Sequence, residues 1–193
     1  SGEKATLASQ RALRNLRKNG GPDVRQIGAS IRNGEQVNDL IGLDVFTIPT
    51  GAAKGFVDLN PALATVVDKT GNDPEVTFAA GIDGAEAGLN CFWAIDANFE
   101  KAVAAVAKLD AKTATAQDVL QTLKDHGAGD LFPQYNADEA GQLDREGKIP
   151  VHASWHARVA AGTASWDGTL TAAALASFTK DQNALDARIG GLL

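Results

Sequence analysis

Ser30 and Arg32 stand one residue apart, with Ile31 between them and Asn33-Gly34 after them. A small hydroxyl and a guanidinium at that spacing can grip an anion. Arg carries a permanent charge on a planar fork that matches the oxygens of a phosphate. The flanking residues read as a strand, Val24 to Ser30, then a turn, then a helix capped by Asn33 and running through Leu40 to a stop at Gly42. Along an extended strand alternate side chains share a side, so Ser30 and Arg32 are expected to point the same way. A helix start beside them would add backbone N–H groups and a positive dipole end. A strand-end arginine paired with a surface carboxylate is the plainer alternative, and spacing alone leaves both open.

Other reactive side chains are more easily read as ordinary. Lys54, in Gly51-Ala52-Ala53-Lys54-Gly55, belongs to an exposed loop or helix start. A nucleophilic lysine instead needs a desolvated or cation-flanked pocket. Lys148 and Lys180 sit among polar residues. His152 and His156 have the i, i+4 spacing of a zinc-binding pair, but no third ligand accompanies them, and a structural or surface role is expected. Ser154 beside His156 lacks an orienting acid and an oxyanion site. Cys91, the single cysteine, lies in the apolar run Leu89 to Ile95 and reads as a small buried hydrophobe. Asp23, Asp44 and Asp130 read as turn and loop-edge residues.

These groups need elements to position them. Glu3 to Lys18 has the periodicity of an amphipathic helix, with Leu7, Leu13 and Leu16 near one face and Gly20-Gly21-Pro22 at its exit. Val45 to Ile48 reads as a second strand, ended by Pro49. Strand, short helix and strand at these intervals spell a βαβ unit with parallel pairing. Beyond Gly55 the texture is helical. A helix is expected from an Asn60 cap to about Asp68, another within Ala85 to Leu109, and one after Thr115, which with Asp118 resembles a capping box. Asn136 with Glu139 repeats that device. A helix follows Pro150, and a last one is expected to open at Thr179 with Gln182 and to close at Gly190-Gly191. Phe92, Trp93, Phe99, Leu131, Phe132, Trp155, Trp166 and Phe178 are the candidate core of this helical part.

The chain has 193 residues, 44% of them apolar, and a net charge of −6. That suits a globular protein and argues against a nucleic-acid partner, because no basic stripe offsets the acidic balance. The densest basic run, Arg11, Arg14, Arg17 and Lys18, reads as a solvated helix face. No run is long enough to span a bilayer, and no signal peptide opens the chain, so no membrane partner is expected. A lone cysteine fits a cytoplasmic setting. There is no Met. A removed initiator, a Ser1-Gly2 leftover of cloning, or a piece of a longer protein would each account for that.

Gly28-Ala29-Ser30-Ile31-Arg32-Asn33 resembles the Gly-Ala-Ser-Phe-Arg-Asn motif of the transaldolase family, and Val45-Phe46-Thr47-Ile48-Pro49 resembles that family's last strand. The helix ahead of them, with its Gly-Gly exit, matches in position. The resemblance covers about residues 3–58. It implies an α/β fold: residues 1–58 as the closing βα units of a (β/α)8 TIM-type barrel, and 59–193 as a mainly α-helical extension. Gly147-Lys148-Ile149-Pro150 and Phe178-Thr179-Lys180-Asp181-Gln182 are similar to an extension of longer members. Within the family the motif's Ser and Arg hold a sugar phosphate, which implies that role for Ser30 and Arg32. The family transfers a dihydroxyacetone unit between sugar phosphates through a lysine Schiff base, without metal or cofactor. The lysine and its acids belong to strands with no counterpart here. The resemblance therefore implies a partner, the missing N-terminal barrel portion or a separate subunit, and leaves the isolated chain with no catalytic residue of its own. A fructose-6-phosphate aldolase-like lyase and a non-catalytic docking subunit are the alternatives, and a homo-oligomer is compatible with each.

Overall fold

Apolar residues at three-to-four spacing and strong caps make helices the dominant element here. The computed structural model describes residues 2–78 and 80–192. It divides into two units, 1–79 and 80–193.

In the first unit, helix α1 (Gly2–Lys18) has Glu3 in its first turn and Arg17 and Lys18 in its last, complementing the helix dipole. Strand β1 (Ile27–Gly28) follows, then helix α2 (Gly34–Asp39), strand β2 (Val45–Phe46) and helix α3 (Thr50–Leu59). β1 and β2 pair in parallel, Ile27 with Val45 and Gly28 with Phe46. Leu7 of α1 packs with Ile31, Val37, Leu40, Leu43 and Ala52 in one buried cluster, flanked by Phe46, Ile48 and Phe56. Segment 60–78 closes on α1 through polar contacts. Arg14 donates to the Asp68 carboxylate at 2.8 Å and to the Gly42 carbonyl at 2.5 Å, and Arg11 donates to the carbonyls of Thr70 and Asn72. The first unit thus extends past the expected boundary at residue 58.

The expected closing portion of a (β/α)8 barrel is overturned. Helices take up 55% of the chain, and two strands of two residues each form the whole described sheet, so this is a mostly helical protein. The physical reasons are local. β1 ends where Ser30 turns to φ +59°. β2 ends before Pro49, which has no N–H to continue a ladder. Among the described residues no layer covers the strands' outer side: Ile27 is 60% exposed and Val45 42%.

The second unit is helical throughout: α4 (Ala97–Val106), α5 (Ala116–Asp125), α6 (Ala137–Glu146), α7 (His152–Ala160) and α8 (Trp166–Gly190), preceded by a short 3₁₀ turn at Leu89–Phe92. Both expected capping boxes form. Thr115 and Asp118 exchange hydrogen bonds at the start of α5, and Asn136 and Glu139 do so at the start of α6. Leu143, Trp155, Trp166 and Ala173 form one buried cluster, and Ala102, Leu123 and Ala128 another. The polar tips of the buried tryptophans are satisfied. Trp166 Nε1 donates to the Ala87 carbonyl and Trp155 Nε1 to the Glu146 carboxylate, each at 2.7 Å. Phe99, Phe132 and Phe178, expected in the core, are instead exposed.

Two helix boundaries also differ from expectation. Asn60 is the left-handed C-cap of α3, at φ 45°, rather than the start of a new helix. Asn tolerates that conformation, and Pro61 after it cannot prolong the helix. Thr179 lies inside α8, whose true N-cap is Ser165, accepting from the Gly168 N–H. The alanine-rich turns before Thr179 carry the helix straight through.

Candidate functional site

The exit from β1 is built by one buried residue between two exposed ones. Ile31 is 4% exposed and belongs to the first unit's core, while Ser30 and Arg32 face solvent on either side of it. Ser30 and Arg32 lie beyond the strand rather than on it, so strand alternation does not set their directions; what they share is exposure on either side of the buried Ile31. Ser30 adopts a backbone conformation that costs a non-glycine residue about 1 kcal/mol. Asn33 caps α2, accepting from the Gln36 N–H at 2.9 Å. Gln36 in turn accepts from the Arg32 N–H at 2.8 Å and donates to Glu3 at 2.8 Å. The loop holding Arg32 is therefore fixed by its backbone. The Arg32 guanidinium itself has no hydrogen bond or ion pair among the described residues. Every other arginine of the first unit has one: Arg11 with Asp73, Arg14 with Asp68, Arg17 with Asp44 and Arg25 with Asp23. Helix α2 is six residues long, so its dipole adds little, and Glu35 in its first turn opposes an anion.

The basic run on α1, expected to be a solvated face, is structural in its three arginines, while Lys18 is exposed. Arg17 donates to both oxygens of Asp44, at 2.9 and 3.1 Å, and also to the Val24 carbonyl. Asp44 in addition accepts from Gln10 Nε2 at 2.8 Å and from the Gln26 N–H at 3.1 Å. These bonds, that from Gln10 foremost, hold the Asp44 carboxyl down at about 2. Asp44, expected as a turn residue, instead gathers these bonds. The signal that could have found it is the polar row Gln10, Arg14 and Arg17 on α1, which needs a carboxylate opposite.

The remaining candidates do not converge. Lys54 is on α3, exposed, and paired with Asp58 one turn later at 2.7 Å. Cys91 is half-buried, and burial is the main force raising its thiol to about 11, out of nucleophilic range at neutral pH. His152 and His156 stack at 5.6 Å between ring centroids, and His152 also stacks on Trp166 at 5.2 Å. Ser154 donates to Glu146, not to a histidine. Lys148 lies over the Phe178 ring and Lys180 pairs with Asp144. Asp23 pairs with Arg25, and burial raises the Asp130 carboxyl. Among the described residues no three His, Cys, Asp or Glu side chains are placed to hold a metal ion. A groove of about 510 Å³ on the first unit is lined by Glu3, Leu7, Asp39, Asn72, Asp73 and Pro74. Its carboxylates disfavour a phosphate, and neither Ser30 nor Arg32 lines it. Among the described residues no helix is long and apolar enough to cross a membrane.

Comparison of the chain with protein-family models, with curated proteins and with solved structures finds no match.

Proposed function

We propose that the first unit holds the phosphate of a sugar phosphate at Ser30 and Arg32. In this reading it anchors substrate for a transaldolase-like Schiff-base transfer of a dihydroxyacetone unit, and a separate polypeptide supplies the lysine. One observation carries the reading: among the described residues, Arg32 alone of the first unit's arginines has an uncommitted guanidinium, beside a serine held in a costly backbone conformation. Strained backbone and unpaired charge are what a binding loop keeps available for its ligand. Fructose 6-phosphate titrated by calorimetry into the chain is expected to bind, more weakly as salt screens the contact. Arg32→Ala is expected to weaken binding by about 2 kcal/mol, the scale of a charged hydrogen-bond donor. Equal affinity of the Arg32→Ala protein removes Arg32 from the site. Borohydride with substrate is expected to leave this chain unlabelled, and label on Lys54 would overturn the assignment of the lysine to another polypeptide.

A second reading, a non-catalytic docking subunit, is favoured by the bare outer side of the two strands, where Ile27 and Val45 are exposed. An uncovered apolar sheet face is a surface that another chain can cover. A partner that co-elutes on gel filtration and carries a borohydride-reducible lysine supports the enzyme. A co-eluting partner without one supports docking alone.

A further inference from the structure

Helix α8 is apolar on two opposite sides, and only one of them is used by its own unit. Trp166, Thr169 and Ala173 are 5%, 0% and 1% exposed and form the inner stripe. Leu175, Phe178, Gln182, Leu185 and Ile189 of α8, with Leu192 in the turn just past its Gly191 C-cap, follow at alternating steps of three and four, the spacing of the a and d positions of a heptad repeat. Leu175 lies nine residues after Trp166, as Phe178 does after Thr169 and Gln182 after Ala173. Nine residues are two and a half turns of helix, so the second stripe faces directly away from the first. Its five apolar members are 48–80% exposed. Every residue from Phe178 to Leu192 is exposed, and Lys180, paired with Asp144 of α6, makes the last polar tie to the rest of the unit among the described residues. A solvated helical arm of three turns is marginal by itself. Lys148, over the Phe178 ring at 4.4 Å, shields only the root of the stripe.

We propose that this stripe is the seam of an antiparallel two-stranded coiled coil with α8 of a second copy of the chain. The charges flanking the seam choose both occupant and direction. Antiparallel pairing sets Leu175 opposite Leu192, Phe178 opposite Ile189, and Gln182 opposite Leu185. It brings Asp181 beside Arg188 of the second copy, and the symmetry repeats that attractive pair. Parallel pairing instead brings Asp181 beside Asp186 of the second copy, a repulsion that is likewise repeated. Gln182 does not need another Gln182 across the seam, because its Nε2 donates to Asp186 of its own helix at 2.7 Å. Gly190 and Gly191 fall outside the seam, where they leave its packing intact.

The test is sedimentation velocity of the full chain over a concentration series. A species of twice the 20.0 kDa chain mass is expected. Leu185→Asp is expected to abolish it, with an unchanged near-ultraviolet circular dichroism spectrum confirming that the second unit stays folded. Asp181→Arg is expected to raise the half-dissociation concentration about tenfold by turning two attractions into repulsions. Asp181→Arg combined with Arg188→Asp is expected to restore it. Three results overturn the proposal: a wild-type chain that stays monomeric throughout its soluble range, the outcome if the stripe is covered from within the chain; a dimer indifferent to Leu185→Asp; or a dimer that Asp181→Arg tightens, which would mark parallel pairing. The seam and the phosphate contact lie in different units, so failure of one leaves the other standing.

Discussion

Asp44 shows how a single carboxylate organises the first unit. It accepts hydrogen bonds from the side chains of Gln10 and Arg17 on α1 and from the backbone of Gln26 ahead of β1. Gln10 is fully buried, so removing its acceptor strands a polar amide in the interior. Asp44→Ala is expected to destabilise this unit by about 2 kcal/mol, read as a shift of the urea midpoint. Asp68, held at about 2 by Thr70 and Arg14, and Glu146 behave alike. Burial works against the Glu146 charge, but bonds from Gln142, Ser154, Trp155 and the Val151 N–H outweigh it and hold the group at about 2. All three folded values lie below the ordinary ones of 3.8 and 4.5. Their contribution is therefore complete above about pH 4.5 and is lost as pH falls toward about 2. Stability measured at constant ionic strength is expected to fall across that window. A flat profile there would show that these bonds contribute nothing.

At the scale of elements, helix starts marked by a bonded side-chain cap were legible, whereas the starts expected at Asn60 and Thr179, and the lengths of the strands, were not. Asn33, Thr115 and Asn136 each cap the helix expected of them, because a capping side chain bonds within its own turn and needs nothing from elsewhere. The strand signals at 24–30 and 45–48 shrank to two residues each, because a strand needs neighbours the local sequence does not encode. The candidate site is chosen from the sequence by residue type, Ser30 and Arg32, and its geometry was not legible there. Only the structure shows that, among the described residues, Arg32 is unpaired while Arg11, Arg14 and Arg17 are committed. Also illegible was the approach of α2 to α3. A Cβ on Gly34 would lie 2.4 Å from the backbone of Gly55 and Phe56, whereas one on Gly51 would meet nothing within 4 Å. Gly34→Ala is expected to cost about 3 kcal/mol, since helix backbone cannot give way as a side chain can. Gly51→Ala is expected to be neutral or to stabilise by about 0.5 kcal/mol through the unfolded chain. Equal denaturation midpoints for the two variants would show that α2 and α3 do not pack as closely as described.

At the scale of the whole molecule, each unit owns its core. Leu7, Ile31, Val37, Leu40, Leu43 and Ala52 cluster within 1–79, and Leu143, Trp155, Trp166 and Ala173 within 80–193. Cooperativity follows shared buried surface, so two cores closed within separate stretches of chain are expected to melt as two transitions. The tryptophans assign them. Trp93, Trp155 and Trp166 all lie in the second unit, so fluorescence follows that unit alone, while far-ultraviolet dichroism follows both. Asp44→Ala is expected to lower a dichroism transition and leave the fluorescence midpoint in place. Glu146→Gln, which keeps the size of the side chain but removes the charge that Trp155, Ser154 and Val151 bond to, is expected to lower the fluorescence midpoint by several degrees. If both substitutions move both signals together, the chain unfolds as one body and the two cores are coupled.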